Sequence, residues 1–339
     1  DHDRHNGRND SLKELRAEAA AGAGVDEPHL EQLSRFRLRT VLLVAVLGIA
    51  LYVLLPQVGD FKDSFKAIVH ADPPWLVGAV LASILTYAAA AMQLQGAVPE
   101  RLNLLHTVEM GLASSFANRL TPASVGGVAT NIRYLQRCGL EYAEAGSSYV
   151  LNSATGLAVH LFLLVCSGVV VGKRGVGAVK LPSGWVLLVA VAVGLALVGL
   201  VVRLPRVRTK VLPPLRQAGG GLRRVLMQPA QLARLFGGAV GVTGLYIAAF
   251  DLSLRAVGVH EPIAQVMFVY LGGAAIAAAA PTPGGLGAME AALTAGLTAV
   301  GVAAAPALAG VLTFRLATYW LPILPGWLSF RHLRRIELL

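Results

Sequence analysis

Long apolar runs separated by short polar stretches make up most of the chain. An α-helix rises 1.5 Å per residue, so about 20 apolar residues cross the roughly 30 Å hydrocarbon core of a bilayer. On this basis the sequence predicts six complete membrane spans, at residues 40–57, 75–98, 148–171, 185–202, 235–259 and 306–328. We therefore predict an all-α polytopic membrane protein.

Two further apolar regions, 104–135 and 262–301, are interrupted near their middles. The second break, residues 281–287, reads PTPGGLG, and the first, residues 118–127, contains Thr-Pro followed by two glycines. Proline lacks an amide donor and glycine loosens the backbone, so neither region continues as an ordinary helix. Freed backbone groups find no water in lipid, so a break persists only beside protein or a wet cavity. We predict a re-entrant pair of half-helices at each break.

The basic residues orient these elements in the membrane. Residues 203–234 hold eight lysines and arginines and no acid, so the positive-inside rule places them in the cytoplasm. With the polar tail of residues 1–38 also inside, the first hairpin enters from the cytoplasm and the second from outside. Residues 75–172 and 235–330 then form two units of span, hairpin and span that face in opposite directions. This is an inverted-topology repeat; the alternative, two complete crossings, fits the basic loops less well.

Composition supports a membrane location. Of the 339 residues, 55% are hydrophobic and 14% are charged, whereas soluble domains carry about 25% charged residues. The net charge is +10, but the basic residues lie between apolar runs, where they meet anionic lipid, so no nucleic acid is expected as a partner. We expect a multi-pass protein of a bacterial-type plasma membrane with both termini in the cytoplasm. The chain does not begin with methionine, so we expect it to be trimmed or a piece of a longer protein.

The two breaks predict an anion-binding site. Half-helices whose N-termini meet near the midplane direct unpaired amides and positive dipole ends into one space, and phosphate commonly binds such ends. The glycines allow a ligand to approach the backbone closely. The break residues assigned to substrate binding are Thr121, Gly126, Gly127, Thr282, Gly284, Gly285 and Gly287.

Four ionisable residues near the breaks are further candidates for this site. An arginine at mid-membrane costs at least about 2.5 kcal/mol, so Arg315 is expected to face the cavity or to pair with Glu290. Glu290 is also a candidate to bind a cationic headgroup or a proton. Arg133 is expected beside Arg315 at the phosphate. For Arg119, at the first break, phosphate contact and snorkelling towards the interface agree equally well with the sequence.

Signatures of catalysis are missing from the sequence. It contains no G-x-x-x-x-G-K-[ST] loop, no H-E-x-x-H and no G-x-S-x-G. The two cysteines, Cys138 and Cys166, show neither a disulfide nor a metal-binding spacing. We therefore expect no cofactor, no metal, no direct use of ATP and no enzymatic activity in this chain.

Two stretches near the C-terminus resemble a known signature. Residues 283–290, PGGLGAME, followed by residues 315–322, RLATYWLP, are similar to the C-terminal signature of the lysylphosphatidylglycerol synthase transmembrane, or flippase-like, family. Residues 126–133 look like the first signature of that family. The resemblance assigns residues 39–335 to a flippase-like transmembrane domain. In the bifunctional multiple peptide resistance factor, such a domain moves aminoacylated phosphatidylglycerol to the outer leaflet, and a separate soluble domain synthesises that lipid.

This chain departs from the bifunctional branch in two places. The resemblance implies an acid in the second span and another after the central loop, but residues 88–95 and 243–246 contain none. The soluble synthase domain is not present in these residues either. The departures favour a different anionic lipid, such as a phospholipid or a polyprenyl-phosphate-linked sugar, over a cationic aminoacyl lipid.

We therefore expect a flippase-like transporter that moves an anionic or aminoacylated phospholipid, or a polyprenyl-phosphate-linked lipid, between leaflets. The expected partners are membrane lipids with anionic headgroups, with a homo-oligomer or a synthase partner also open. Two alternatives remain: a lipid-binding accessory or scaffold module for a membrane enzyme, and a secondary transporter of small solutes or ions.

Overall fold

The computed structural model contains helices and no strands in the residues that it describes, which confirms the predicted all-α membrane fold. The described residues are 69–121, 125–174, 227–280 and 282–339. The predicted tail, the predicted spans at 40–57 and 185–202, and most of the basic loop 203–234 lie outside them.

The described part of the chain contains nine α-helices, one short 3₁₀ turn and one π-helical segment. The α-helices are α1 (Pro73–Ala97), α2 (Leu104–Leu120), α3 (Val125–Arg137), α4 (Tyr142–Arg174), α5 (Pro229–Ala256), α6 (Ile263–Ala279), α7 (Ala288–Ala299), α8 (Ala304–Arg315) and α9 (Ile323–Arg335). The 3₁₀ turn, Pro283–Gly285, precedes α7, and the π segment, Leu316–Trp320, joins α8 to α9.

Four of these elements are long and apolar enough to cross a membrane, counted within the described residues. They are α1, α4, α5 and the run Ala304–Arg335, which contains α8, the π segment and α9. All four occur where the hydropathy pattern predicts spans. Helices α4 and α5 begin six residues before the predicted starts, and α5 does so with proline in its first turn, where a missing amide costs no hydrogen bond.

Each interrupted region forms a hairpin of two short helices. Helices α2 and α3 pack against each other, as do α6 and α7. They contain 17, 13, 17 and 12 residues, so none spans a hydrocarbon core of roughly 30 Å at 1.5 Å per residue. Entry of the two hairpins from opposite membrane faces stays a prediction.

The second break depends on glycine. Gly284, Gly285 and Gly287 have φ values of 59°, 69° and 79°, a left-handed conformation that other residues adopt only at a cost. Three such residues within four positions reverse the chain between α6 and α7. The glycine-rich composition of this break therefore has a direct conformational cause.

Among the described helices, α1 and α5 pack against each other most extensively. They run antiparallel, with Gly78 beside Leu252 at one end and Gly96 against the Leu235 backbone at the other. A Cβ atom on Gly238 would lie 2.5 Å from the backbone nitrogen of Gln93. Small residues at such positions allow two helix backbones to touch, as in many membrane helix pairs.

Two further contacts between the two predicted units are reciprocal. Helix α4, the last span of the first unit, packs on α6 of the second hairpin. Helix α9, which ends the second unit, packs on α2 of the first hairpin. Together with the α1–α5 pair, this exchange is the pattern expected from two units related by a two-fold axis. The inversion itself stays a prediction.

The α1–α5 contact predicts a selective effect of one added methyl group. Gly238→Ala is expected to lower the free energy of unfolding by about 1–3 kcal/mol, the usual cost of overpacking. Gly237→Ala is the matched control, because Gly237 is exposed and no neighbouring helix lies within 4 Å of the place its added methyl group would take. Thermal unfolding of the detergent-solubilised variants measures both, and equal stability would contradict the assigned helix contact.

Candidate anion-binding cavity

Both hairpins contribute to the wall of one cavity of about 680 Å³. Its lining comes from the C-terminal part of α2, from α5 and α6, from the second break and the start of α7, and from α8 and the π segment. Its polar lining residues are Ser115, Asn118, Arg119, Tyr246, Tyr270, Thr282, Arg315, Thr318 and Tyr319. The structure therefore brings the two breaks to a shared polar space. Among the described residues of this lining, only the two arginines carry charge.

Arg315, the last residue of α8, is buried and forms an ion pair with Glu290 of α7. Its Nε donates to Glu290 Oε1 at 2.6 Å, and its Nη2 donates to the Gly284 carbonyl oxygen at 3.4 Å. The other carboxylate oxygen, Oε2, accepts a hydrogen bond from the Gly287 amide at 2.7 Å. Glu290 therefore neutralises Arg315 and also caps α7. This is the pairing that the sequence offered as one of two alternatives for Arg315.

Arg119 lies in the same cavity without a carboxylate partner among the described residues. Its Nη1 donates to Ser115 Oγ at 2.7 Å, and its Nη2 donates to the Thr318 carbonyl oxygen at 3.3 Å. Both acceptors are neutral, so the positive charge is not balanced. Of the two interpretations of Arg119, its position in the cavity lining supports contact with a ligand.

Two polar atoms at the cavity have no hydrogen-bond partner within the described part of the chain. They are Arg119 Nε and Thr282 Oγ1, which are both inaccessible to solvent. A buried polar atom without a partner costs roughly 1–3 kcal/mol. The two residues come from different hairpins, and a ligand with acceptor oxygens would supply the missing bonds.

Tyr319 connects the two arginines. The guanidinium carbon of Arg119 lies 4.8 Å from the centre of its ring, and that of Arg315 lies 4.2 Å from it. Both distances are suitable for cation–π contacts. This tyrosine was not among the residues predicted to bind substrate, although its position four residues after Arg315 places it on the same helix face.

The π segment leaves backbone carbonyl oxygens free to accept hydrogen bonds from side chains of other helices. In a π-helix the hydrogen bonds join residues five apart, as between the Leu321 amide and the Leu316 carbonyl at 2.9 Å. The Thr318 carbonyl accepts from Arg119, and the Ala317 carbonyl accepts from Ser83 Oγ of α1 at 2.9 Å. Such bulges are frequent at functional sites, and hydropathy gives no sign of them.

Residues 41–326 match the family model described as the lysylphosphatidylglycerol synthase transmembrane region. The chain belongs to this family. The membrane domain of this family is associated with lipid handling. None of the curated proteins compared with the chain matched it. The family-like residues Gly284, Glu290, Arg315 and Tyr319 come together at the cavity through the contacts described above.

Arg133, the other arginine suggested by the family resemblance, is not brought to this cavity. The buried residues of α3 are Gly127, Thr130, Tyr134 and Leu135, at helical spacing. Arg133 lies off the face that they form and is exposed. The structure therefore does not bring Arg133 to Arg315, and Arg119 is the second arginine that lines the cavity.

Most of the backbone amides that were expected to be free at the two breaks donate hydrogen bonds to side chains. The Gly126 amide donates to Thr121 Oγ1 at 2.8 Å, and the Gly127 amide donates to Asn118 Oδ1 at 2.6 Å. The Gly287 amide donates to Glu290. Thr121 and the first pair of glycines do not line the cavity; they hold the turn of the first hairpin. At the second break, Thr282, Gly284 and Gly285 do line it.

The buried ion pair predicts a large stability effect at Glu290. Glu290→Gln is expected to destabilise the protein by about 3–5 kcal/mol, because Arg315 is left buried without an opposite charge. The matched control is Glu109→Gln, which breaks the 2.9 Å contact of Glu109 with the half-exposed His332 and is expected to cost at most about 1 kcal/mol.

Denaturation of both variants in detergent measures the difference. Glu290→Gln combined with Arg315→Met is expected to recover part of the loss, since the unpaired charge is removed. Equal effects of the two glutamate substitutions, or no recovery in the double variant, would contradict this account of the pair.

Proposed function

We propose that this protein binds the phosphate of an anionic membrane lipid in the cavity between the hairpins and moves that headgroup from one leaflet to the other. The observation that carries the proposal is the charge of the cavity: two arginines line it, and one carboxylate balances only one of them. The family of the chain handles lipids, which supports a lipid as the source of the anion.

Phosphate suits this cavity for reasons of charge and geometry. A guanidinium group presents a planar set of donors that matches phosphate oxygens, and such charge-assisted bonds are about twice as strong as neutral ones. Arg119 offers its unpaired Nε, and Thr282 offers an unpaired hydroxyl. In water-poor surroundings the uncompensated charge of Arg119 favours an anion over a neutral or cationic ligand.

Glu290 is the internal anion that pairs with Arg315 beside the cavity. When no lipid is bound, its carboxylate holds Arg315. A bound phosphate would compete for that arginine, so lipid binding and the α7–α8 contact are coupled in this proposal. Protonation of Glu290 would release Arg315 in the same way, which makes this carboxylate the candidate proton carrier. Transport would otherwise run downhill or with the membrane potential, because the sequence has no nucleotide-binding loop.

The proposal assigns binding and movement to this chain and no catalytic step. It places the protein in a bacterial-type plasma membrane with both termini in the cytoplasm, as the basic loop of residues 203–234 favours. A synthase that supplies the lipid, or a second copy of the chain, would be its protein partner.

Leaflet exchange of a tail-labelled phosphatidylglycerol in liposomes tests the proposal. Arg119→Gln and Arg315→Gln are each expected to slow exchange by about tenfold or more, because a charge-assisted bond contributes roughly 1.5–3 kcal/mol. Arg255→Gln is the matched control: Arg255 pairs with Asp251 at 2.7 Å and does not line the cavity. This variant is expected to keep the wild-type rate.

Three results would contradict the proposed transport. Wild-type exchange rates in both cavity variants would remove the assigned site. Lipid binding without any exchange would make the protein a lipid-presenting accessory module. Uptake of a small solute into lipid-tight vesicles, with no exchange, would make it a solute transporter.

A further inference from the structure

A second cavity, of about 300 Å³, lies directly beside the first. Ser115 and Asn118 of α2 and Tyr246 of α5 belong to the walls of both cavities. Because three side chains are common to both walls, a molecule held at the arginines has only this thin partition between itself and the second space. The volume corresponds to about ten water molecules at roughly 30 Å³ each, enough for a small polar group.

The second cavity is polar but uncharged. No Asp, Glu, Lys, Arg or His occurs among the described residues that line it. Its polar side chains are hydroxyls and amides: Thr86, Tyr87, Thr107, Ser114, Ser115, Asn118, Asn131, Tyr149, Asn152 and Tyr246. The charged side chains that line these two spaces therefore all belong to the first cavity.

Asn152 provides an unused hydrogen-bond acceptor in the second cavity. Its Oδ1 is buried and has no partner among the described residues, although its backbone carbonyl accepts from Gln93 Nε2 at 2.8 Å. Unpaired buried acceptors are uncommon in folded proteins and call for an explanation. A ligand hydroxyl would supply the missing donor.

We infer that the second cavity binds an uncharged, hydroxyl-rich group joined to the phosphate, such as glycerol, inositol or a sugar. This inference rests on the proposed function and names the class of lipid that it moves. Hydroxyls both donate and accept, so they match a wall of amides and hydroxyls. A headgroup amine would be buried without a carboxylate and close to two arginines, which is unfavourable.

Competitive lipid binding, measured by native mass spectrometry of the detergent-solubilised protein, tests the inference without transport. The probes are dioleoyl phosphatidylglycerol, phosphatidylinositol, phosphatidic acid and phosphatidylethanolamine, with a polyprenyl-phosphate hexose and soluble glycerol 3-phosphate as further arms. The glycerol, inositol and hexose lipids are expected to bind about fivefold or more tightly than phosphatidic acid or phosphatidylethanolamine.

Two variants distinguish the contributions of the two cavities to lipid binding. Asn152→Leu is expected to reduce the preference for hydroxylated headgroups to about twofold or less, while phosphatidic acid binds as before, which also reports a folded protein. Arg119→Gln is expected to weaken all the phosphate lipids together.

Equal binding of the four dioleoyl lipids, or an unchanged preference in Asn152→Leu, would overturn the inference even if leaflet exchange occurs. Retained selectivity without exchange would instead support the headgroup assignment and contradict the proposed transport. Tight binding of glycerol 3-phosphate equal to that of the lipids would contradict a lipid as the source of the phosphate.

Discussion

The structure depends on how an arginine is accommodated inside apolar helices. Arg315 is buried at the end of α8, and a charge in such surroundings persists only with a partner. Glu290 supplies that partner from α7 and caps the same helix through the Gly287 amide. The left-handed glycines of the second break are what bring α7 to this position. Ion pair, helix cap and chain reversal are therefore one arrangement, and a change in one affects the others.

Arg119 extends this arrangement to the first hairpin. It contacts the Thr318 carbonyl and shares the Tyr319 ring with Arg315. The two hairpins are thus joined through the π segment by polar and cation–π contacts, which lie beside a cavity. Apolar packing would have closed this space. The unbalanced charge and the unpaired donors that remain are what distinguish a candidate ligand site from an ordinary helix contact.

Hydropathy and the positions of proline and glycine were sufficient to predict the described spans and the break in each interrupted region, because these features depend on composition over several residues. Re-entry of the two hairpins stays a prediction. The direction in which a single side chain points does not depend on composition, so it could not be predicted in this way. Arg133 is exposed because the packing face of α3 is set by Gly127, Thr130 and Tyr134. The amides expected to be free are occupied because side chains of α2 and its C-cap reach back to them. Tyr319 was not selected although its i,i+4 spacing from Arg315 is visible in the sequence, since its contact with Arg119 of the first hairpin is not. Asn152 was not selected because the sequence does not show which side chains line a cavity.

The α1–α5 pair limits how the proposed lipid movement can take place. These helices begin the two units, and Gly96 and Gly238 bring their backbones into direct contact near the C-terminal end of α1. Sliding or opening at this contact would force Cα and backbone atoms past one another, so the pair behaves as a fixed wall. The hairpins also pack on α4 and α9, but at the cavity they are joined by polar contacts of Arg119, Glu290 and Arg315, for which a phosphate would compete. In the proposed mechanism the hairpins therefore move against the α1–α5 pair, and Tyr246 of α5, which borders both cavities, stays fixed while the headgroup passes it.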